Sequence, residues 1–150
     1  SSNDMAADKD KICHNKGRKN CEYRNRCTLL AEAGYALKGF NVITLTEADE
    51  GKTFSSHGKT IYSYSGSSPL HIESIKSSGN TVICGNISIA TLQSNGNCHL
   101  FYTQVEKANI NGNITTSEFD ENGFEKVIDS KSGSDVKSCK VNSDALIIPL

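Results

Sequence analysis

Thr81-Val-Ile-Cys-Gly-Asn-Ile-Ser-Ile-Ala-Thr91 and Cys98-His-Leu-Phe-Tyr-Thr-Gln-Val105, separated by Ser94-Asn-Gly-Asn97, decide how this chain is read. Both stretches are rich in Thr, Ile, Val and aromatic residues at a period near two, which suits a pleated, half-buried surface. The intervening Ser-Asn-Gly-Asn tolerates positive φ and reads as a tight turn. A gap this short leaves no room for a crossover helix, so the two strands are expected to run antiparallel.

The same texture extends outward. Asn41–Thr46, Thr60–Tyr64, Leu70–Ile75 and Asn109–Thr116 read as further strands, with turn residues at Ser77-Ser-Gly-Asn80 and Asn111-Gly112. Before Gly39 the period changes. Tyr23, Cys27, Leu30, Ala31, Gly34 and Leu37 recur at three- and four-residue steps, predicting a helix over Glu22–Lys38 that Gly39 ends. Residues 1–11 are polar and aperiodic and read as a flexible lead-in. No internal repeat or domain boundary stands out. The expectation is one α+β domain over residues 12–150, with a single helix packed on a multi-stranded antiparallel sheet.

The chain has 150 residues, a net charge of −1 and six cysteines. An even cysteine count in a short chain reads as a disulfide framework in an oxidising compartment. Fifteen connectivities are possible. The geometrically simplest joins Cys84 to Cys98 across the hairpin, Cys21 to Cys27 at the helix start, and Cys13 to Cys139 across the chain. No close Cys pair has a matching partner, so no metal is expected, and no cofactor fingerprint occurs. The sequons at Asn86 and Asn113 fit secretion and are glycosylation candidates. No apolar run approaches a membrane span, and no signal-peptide core is apparent, so the chain reads as a mature secreted monomer. Seven cationic residues crowd between Lys9 and Arg26, a pattern more typical of a solvated face than of a phosphate-binding one.

Short motifs then fall into a familiar order. Ala31-Glu-Ala-Gly-Tyr-Ala-Leu37 precedes His57, and Tyr62-Ser-Tyr-Ser-Gly66 precedes Glu73-Ser-Ile75. His99-Leu-Phe-Tyr102, Gly112-Asn-Ile-Thr-Thr-Ser117 and Glu121-Asn-Gly-Phe124 follow. This succession resembles the small guanyl-specific fungal ribonucleases. The resemblance implies that Glu73 is the remnant general base and His57 its companion. It puts Tyr62, Tyr64 and Ser65 in the base-binding loop. His99 then stands where those enzymes carry an arginine, and Thr116 where they carry the acid histidine. A threonine hydroxyl cannot deliver that proton, and an absent acid typically costs ~10²–10⁴-fold. The site would therefore be a degenerate one.

The chain is also similar to the catalytically inactive ribonuclease-like effectors of plant-pathogenic fungi. That likeness implies a virulence or avirulence protein that binds a host protein or RNA and is recognised by a plant immune receptor. Two alternatives stand beside it: an active secreted ribonuclease or toxin using His57, Glu73 and His99, and an unrelated disulfide-rich secreted binding protein.

Overall fold

The computed structural model describes residues 38–122 and 124–143. Its strands are β1 (Asn41–Leu45), β2 (Thr53–Ser56), β3 (Thr60–Tyr64), β4 (Leu70–Ser77), β5 (Thr81–Ser94), β6 (Cys98–Ile110), β7 (Ile114–Phe119), β8 (Glu125–Lys131) and β9 (Cys139–Val141). Among the described residues two one-turn 3-10 segments occur, at Glu47–Asp49 and Gly133–Val136.

The strands pair in parallel, not antiparallel. Thr60 lies beside Thr81, Thr81 beside Cys98, and Cys98 beside Ile114, steps of 21, 17 and 16 residues. On the other flank Ser74 lies beside Thr91, and Thr91 beside Lys107. Neighbouring strands are thus one full circuit apart in sequence, and the chain winds as a β-solenoid-like coil. The expected α+β architecture with an antiparallel sheet is overturned, and so is the ribonuclease-like fold. The expected helix over Glu22–Lys38 and the flexible segment 1–11 lie outside the described residues.

The turn at residues 94–97 is the point where the reading and the structure part. It is a corner of the coil and does not reverse the chain. Alternation of buried and exposed residues reports which side of a strand is covered, and it is the same whether the neighbour runs parallel or antiparallel. The connection that parallel strands require is supplied by the remaining sides of the coil itself.

Inside the coil, equivalent residues stack in columns. Leu70 meets Ile87, Ile72 meets Ile89 and then Val105, and Ile75 meets Leu92 and then Ala108. Tyr62, Ile83 and Leu100 form another column under β3, β5 and β6. All of these apolar residues are buried in one cluster. Two consecutive outward residues, at 73–74, 90–91 and 106–107, bend each circuit between Ile72 and Ile75 and their equivalents. The β3–β5–β6–β7 side is apolar on both surfaces. Ile61, Val82, Cys84 and Phe101, with Tyr102 and Phe119, make a second buried cluster on the reverse of the same strands. A strand covered on both sides loses its alternation, which is why Thr60–Tyr64 is buried throughout.

The corners carry a repeat that the sequence reading did not detect: Gly58, Gly79, Gly96 and Gly112 occupy equivalent places. A Cβ on Gly79 would stand 2.5 Å from the Gly58 carbonyl oxygen, and one on Gly112 would stand 2.7 Å from that of Gly96. Buried hydroxyls tie this stack together. Ser94 Oγ and Thr81 Oγ1 each donate to the Gly79 carbonyl at 3.1 Å, and Thr81 Oγ1 also lies 2.7 Å from Ser77 Oγ. Asparagines continue the ladder outside: the Asn97 amide donates to Asn80 Oδ1 at 3.0 Å, and the Asn113 amide to Asn97 Oδ1 at 2.9 Å. Asn97→Ala removes one acceptor from this exposed corner. It is expected to lower stability by about 1 kcal/mol, read from the midpoint of urea unfolding.

At the C-terminal end the parallel pattern stops. β8 pairs antiparallel with β7, and β9 pairs antiparallel with β6. Val136 and Val141 bury themselves against the main core there.

Two of the proposed cysteine pairs, Cys84–Cys98 and Cys13–Cys139, do not form. Cys98 and Cys139 are free thiols, whereas Cys84 is disulfide-bonded. Register explains why Cys84 and Cys98 cannot meet. Cys98 pairs with Thr81, so Cys84 is three residues further along the adjacent strand, about 10 Å away and on the opposite surface. The Cys13–Cys139 bridge fails because Cys139 is free, and the Cys21–Cys27 pair lies outside the described residues.

Candidate functional site

The coil places the expected ribonuclease residues apart. His57 sits at a corner beside Ser78, its Nδ1 3.0 Å from Ser78 Oγ. Glu73 lies at the bend of β4, five residues back from Ser78, roughly 16 Å of extended chain. An acid and a base sharing one substrate need contact distances, so these two do not form such a pair. His99 and Thr116 are also separated. Leu100 is the register partner of Thr116, which places His99 on the reverse surface of the sheet.

Tyr62 and Tyr64 are core residues. Both are buried, Tyr62 edge-on to Phe54 at 5.9 Å, and the Tyr64 hydroxyl donates to the Ser68 carbonyl at 2.7 Å. Burial raises the phenol pKa of Tyr62, offset in part by the nearby Ser56 hydroxyl. Neither oxygen attains hydrogen-bond geometry, with each other or with another described group. Ser65 is half-buried, like Asn86, whereas Asn113 is exposed at its corner.

Three histidines have close polar partners: His57 with Ser78, His71 with Glu50 at 3.1 Å, and His99 with Glu125 at 3.2 Å. Glu125 Oε2 also accepts from Ser117 Oγ at 2.6 Å. This carboxylate ties β8 to β6 and β7. The serine points to the carboxylate and not to an imidazole that could take its proton, so the trio lacks the nucleophile–base contact of a hydrolase.

Burial pushes the Cys98 thiol up to about 11. Burial also raises the Cys139 thiol. Neither sulfur is an activated nucleophile, since reactivity follows the thiolate. Among the described residues no group of three or more His, Cys, Asp or Glu is placed to hold a metal ion, and no helix is long and apolar enough to cross a membrane.

What the coil does assemble is a polar groove of about 480 Å³ along the corner that precedes the stacked glycines. Register builds it. Ser55, Lys76, Gln93 and Asn109 form one outward column, each beside the next on successive strands. His57, Ser78, Asn95 and Asn111 form the neighbouring column. Asn111 Nδ2 donates to Asn95 Oδ1 at 3.0 Å, and Lys137 Nζ donates to Asn111 Oδ1 at 2.8 Å. Hydroxyl, amide and ammonium groups thus face solvent in two ranks spaced by the strand separation, and among the described residues no carboxylate lines the groove.

Single-residue inspection missed this site because serines and asparagines at turns are ordinary turn formers. The available signal was the recurrence of Gly58, Gly79, Gly96 and Gly112 at steps of 21, 17 and 16 residues, the last two nearly equal. Comparison with family models, with curated proteins and with solved structures found no match.

Proposed function

We propose that this chain is a secreted, non-catalytic binding protein whose working surface is the polar corner groove, and that its ligand is an extended, neutral, hydroxyl-rich polymer of the polysaccharide class. The observation that carries this reading is the pair of parallel columns, Lys76–Gln93–Asn109 and Ser78–Asn95–Asn111. They repeat donors and acceptors once per coil.

Spacing favours a glycan over a peptide. The columns advance by about 4.8 Å per strand, whereas an extended peptide presents side chains on one edge every ~6.8 Å and would fall out of step. An extended β-linked glycan advances by about one strand spacing per sugar. Charge weighs against RNA, because among the described residues Lys76 is the one permanent cation in the lining, with Lys137 beside it on Asn111, and phosphate-driven binding needs several. Among the described residues the lining is hydroxyl, amide, imidazole and ammonium, a set suited to binding, whereas glycosidic hydrolysis uses a carboxylate pair.

The sequons at Asn86 and Asn113 and the disulfide at Cys84 support secretion. A host-directed effector role that depended on a ribonuclease-like fold is not carried forward. Of the alternatives, the unrelated disulfide-rich secreted binding protein lies nearest this reading, without its disulfide richness, since Cys98 and Cys139 are free.

The test is calorimetric titration with neutral cello-, xylo- and chito-hexasaccharides, beside a homouridine oligonucleotide. At least one glycan is expected to bind. Replacing Gln93 and Asn95 together by Ala removes two hydrogen-bonding side chains, each worth about 0.5–1.5 kcal/mol, and affinity should fall roughly 5- to 100-fold. Failure of all three glycans, equal binding by the variant, or preference for the oligonucleotide would each reject the proposal.

A further inference from the structure

β8 is the terminal strand of its side of the coil: it pairs with β7 and, among the described residues, with no other strand. Every residue from Glu125 to Ser130 is exposed, and the patch is apolar at its centre. Phe124, Val127 and Ile128 are 66%, 56% and 53% exposed, the three most exposed large apolar side chains among the described residues. An open edge with an apolar centre is a template for another strand.

From the order of charges on this strand we infer that its partner is the β8 of a second copy of the same chain. β8 reads Glu125-Lys-Val-Ile-Asp-Ser-Lys131. In an antiparallel pair centred between Val127 and Ile128, Lys126 falls opposite the second copy's Asp129, and Val127 opposite its Ile128. The two-fold axis makes each of these contacts twice, as a self-complementary interface requires. Lys131 falls opposite the second copy's Phe124, where an ammonium and a ring are compatible neighbours.

The sides agree as well. Lys126 is registered with Glu118 and Asp129 with Thr116, and a bulge at Val127–Ile128 sets two residues of β8 against Ser117. Glu118 and Thr116 are two apart on β7, so Lys126 and Asp129, although three apart on the bulged strand, project to the same side of the sheet. The competing register, centred on Ile128, would set Glu125 against Lys131. Glu125 is registered with Phe119 and Lys131 with Ile114, which project to opposite sides. That register is therefore disfavoured.

The charges are already loosely engaged, Lys126 with Glu118 at 3.7 Å and Asp129 with Lys131 at 3.3 Å. In each pair the residue that would change partner, Lys126 or Asp129, is exposed, and surface pairs of this kind are worth little. Lysines on an edge strand deter pairing with unrelated strands. Here they permit pairing with the one strand that offers Asp129 in register.

The experiment is sedimentation of the full chain across a concentration series, for wild type, Lys126→Asp, Asp129→Lys and the double exchange. Wild type is expected to form a dimer in a concentration-dependent way. Each single change sets like charges opposite one another and should shift the protein to monomer. The double exchange restores opposite charges and should restore the dimer. Recovery in the double variant separates loss of the interface from loss of folding. A wild type that stays monomeric at its solubility limit, or a double exchange that stays monomeric while wild type dimerises, overturns the inference.

Discussion

Phe101→Ala is expected to remove about 3–5 kcal/mol of stability, the usual loss for a fully buried aromatic ring. Phe101 is 0% exposed. It stacks on Phe119 with ring centroids 4.9 Å apart and an interplanar angle of 24°. Its neighbours cannot easily collapse into the space. Phe119 is held by its backbone amide, which donates to the Tyr102 hydroxyl at 2.9 Å. Tyr102 itself is a non-glycine residue with φ of 62°, a conformation maintained only where surrounding packing enforces it. The ring therefore anchors a corner as well as filling a volume. Urea unfolding followed by circular dichroism reads the change. A loss below about 1 kcal/mol, the range of a surface position, would mean that this reverse-side cluster is not packed as described.

The second large effect lies in the glycine stack and separates two glycines that look alike in sequence. Gly79→Ala places a methyl group 2.5 Å from the Gly58 carbonyl oxygen and 2.6 Å from its carbon. Both contacts are backbone, which cannot swing aside, so adjacent coils must separate. Overpacking of this kind typically costs about 1–3 kcal/mol. Gly58 has no neighbour within 4 Å of its Cβ position, but its φ is +72°. Its requirement is conformational. Asparagine enters the left-handed region more readily than most residues, so Gly58→Asn should be nearly neutral while Gly79→Asn is severe. Thermal melts of the two variants discriminate these cases, and equal shifts would contradict the stacked-corner geometry.

Much of the strand content was legible from residue order. The expected strands over Asn41–Thr46, Thr60–Tyr64, Leu70–Ile75, Thr81–Thr91 and Cys98–Val105 begin where β1, β3, β4, β5 and β6 begin. Their direction was not legible. Ile72, Ile89 and Val105 alternate with polar residues because one side of each strand is buried, and that pattern is blind to neighbour direction. Ser94-Asn-Gly-Asn97 has the chemistry of a hairpin and of a solenoid corner alike, since both need a sharp change of path. The expected strand over Asn109–Thr116 runs across such a corner, between the end of β6 and the start of β7. β2, β8 and β9 escaped notice because Thr53–Ser56 is short and polar, and β8 and β9 leave the repeat.

The candidate site was less legible still. His57 was singled out for its place in a motif, and it does line the groove, but beside Ser78, not Glu73. The motif order that resembled a ribonuclease rested on strand-and-turn words such as Tyr-Ser-Tyr and Gly-Asn. A repeating coil generates these from its own packing needs. Tyr62 and Tyr64 illustrate this: their spacing of two marks a shared inward side and carries no information about a base.

The wiring of the coil also bears on how the chain would respond to pulling and to synthesis. Among the described residues every parallel pairing spans close to one circuit of sequence, and none joins the first described coil directly to the last. Interactions are thus nearest-neighbour along one axis, the condition under which a chain grows from any established coil and frays from its ends. The antiparallel strands β8 and β9 close one end of that axis. Force applied across the axis would meet many coils sheared together, whereas force drawing residue 143 away along it would peel β9 and β8 first and leave the inner coils wound.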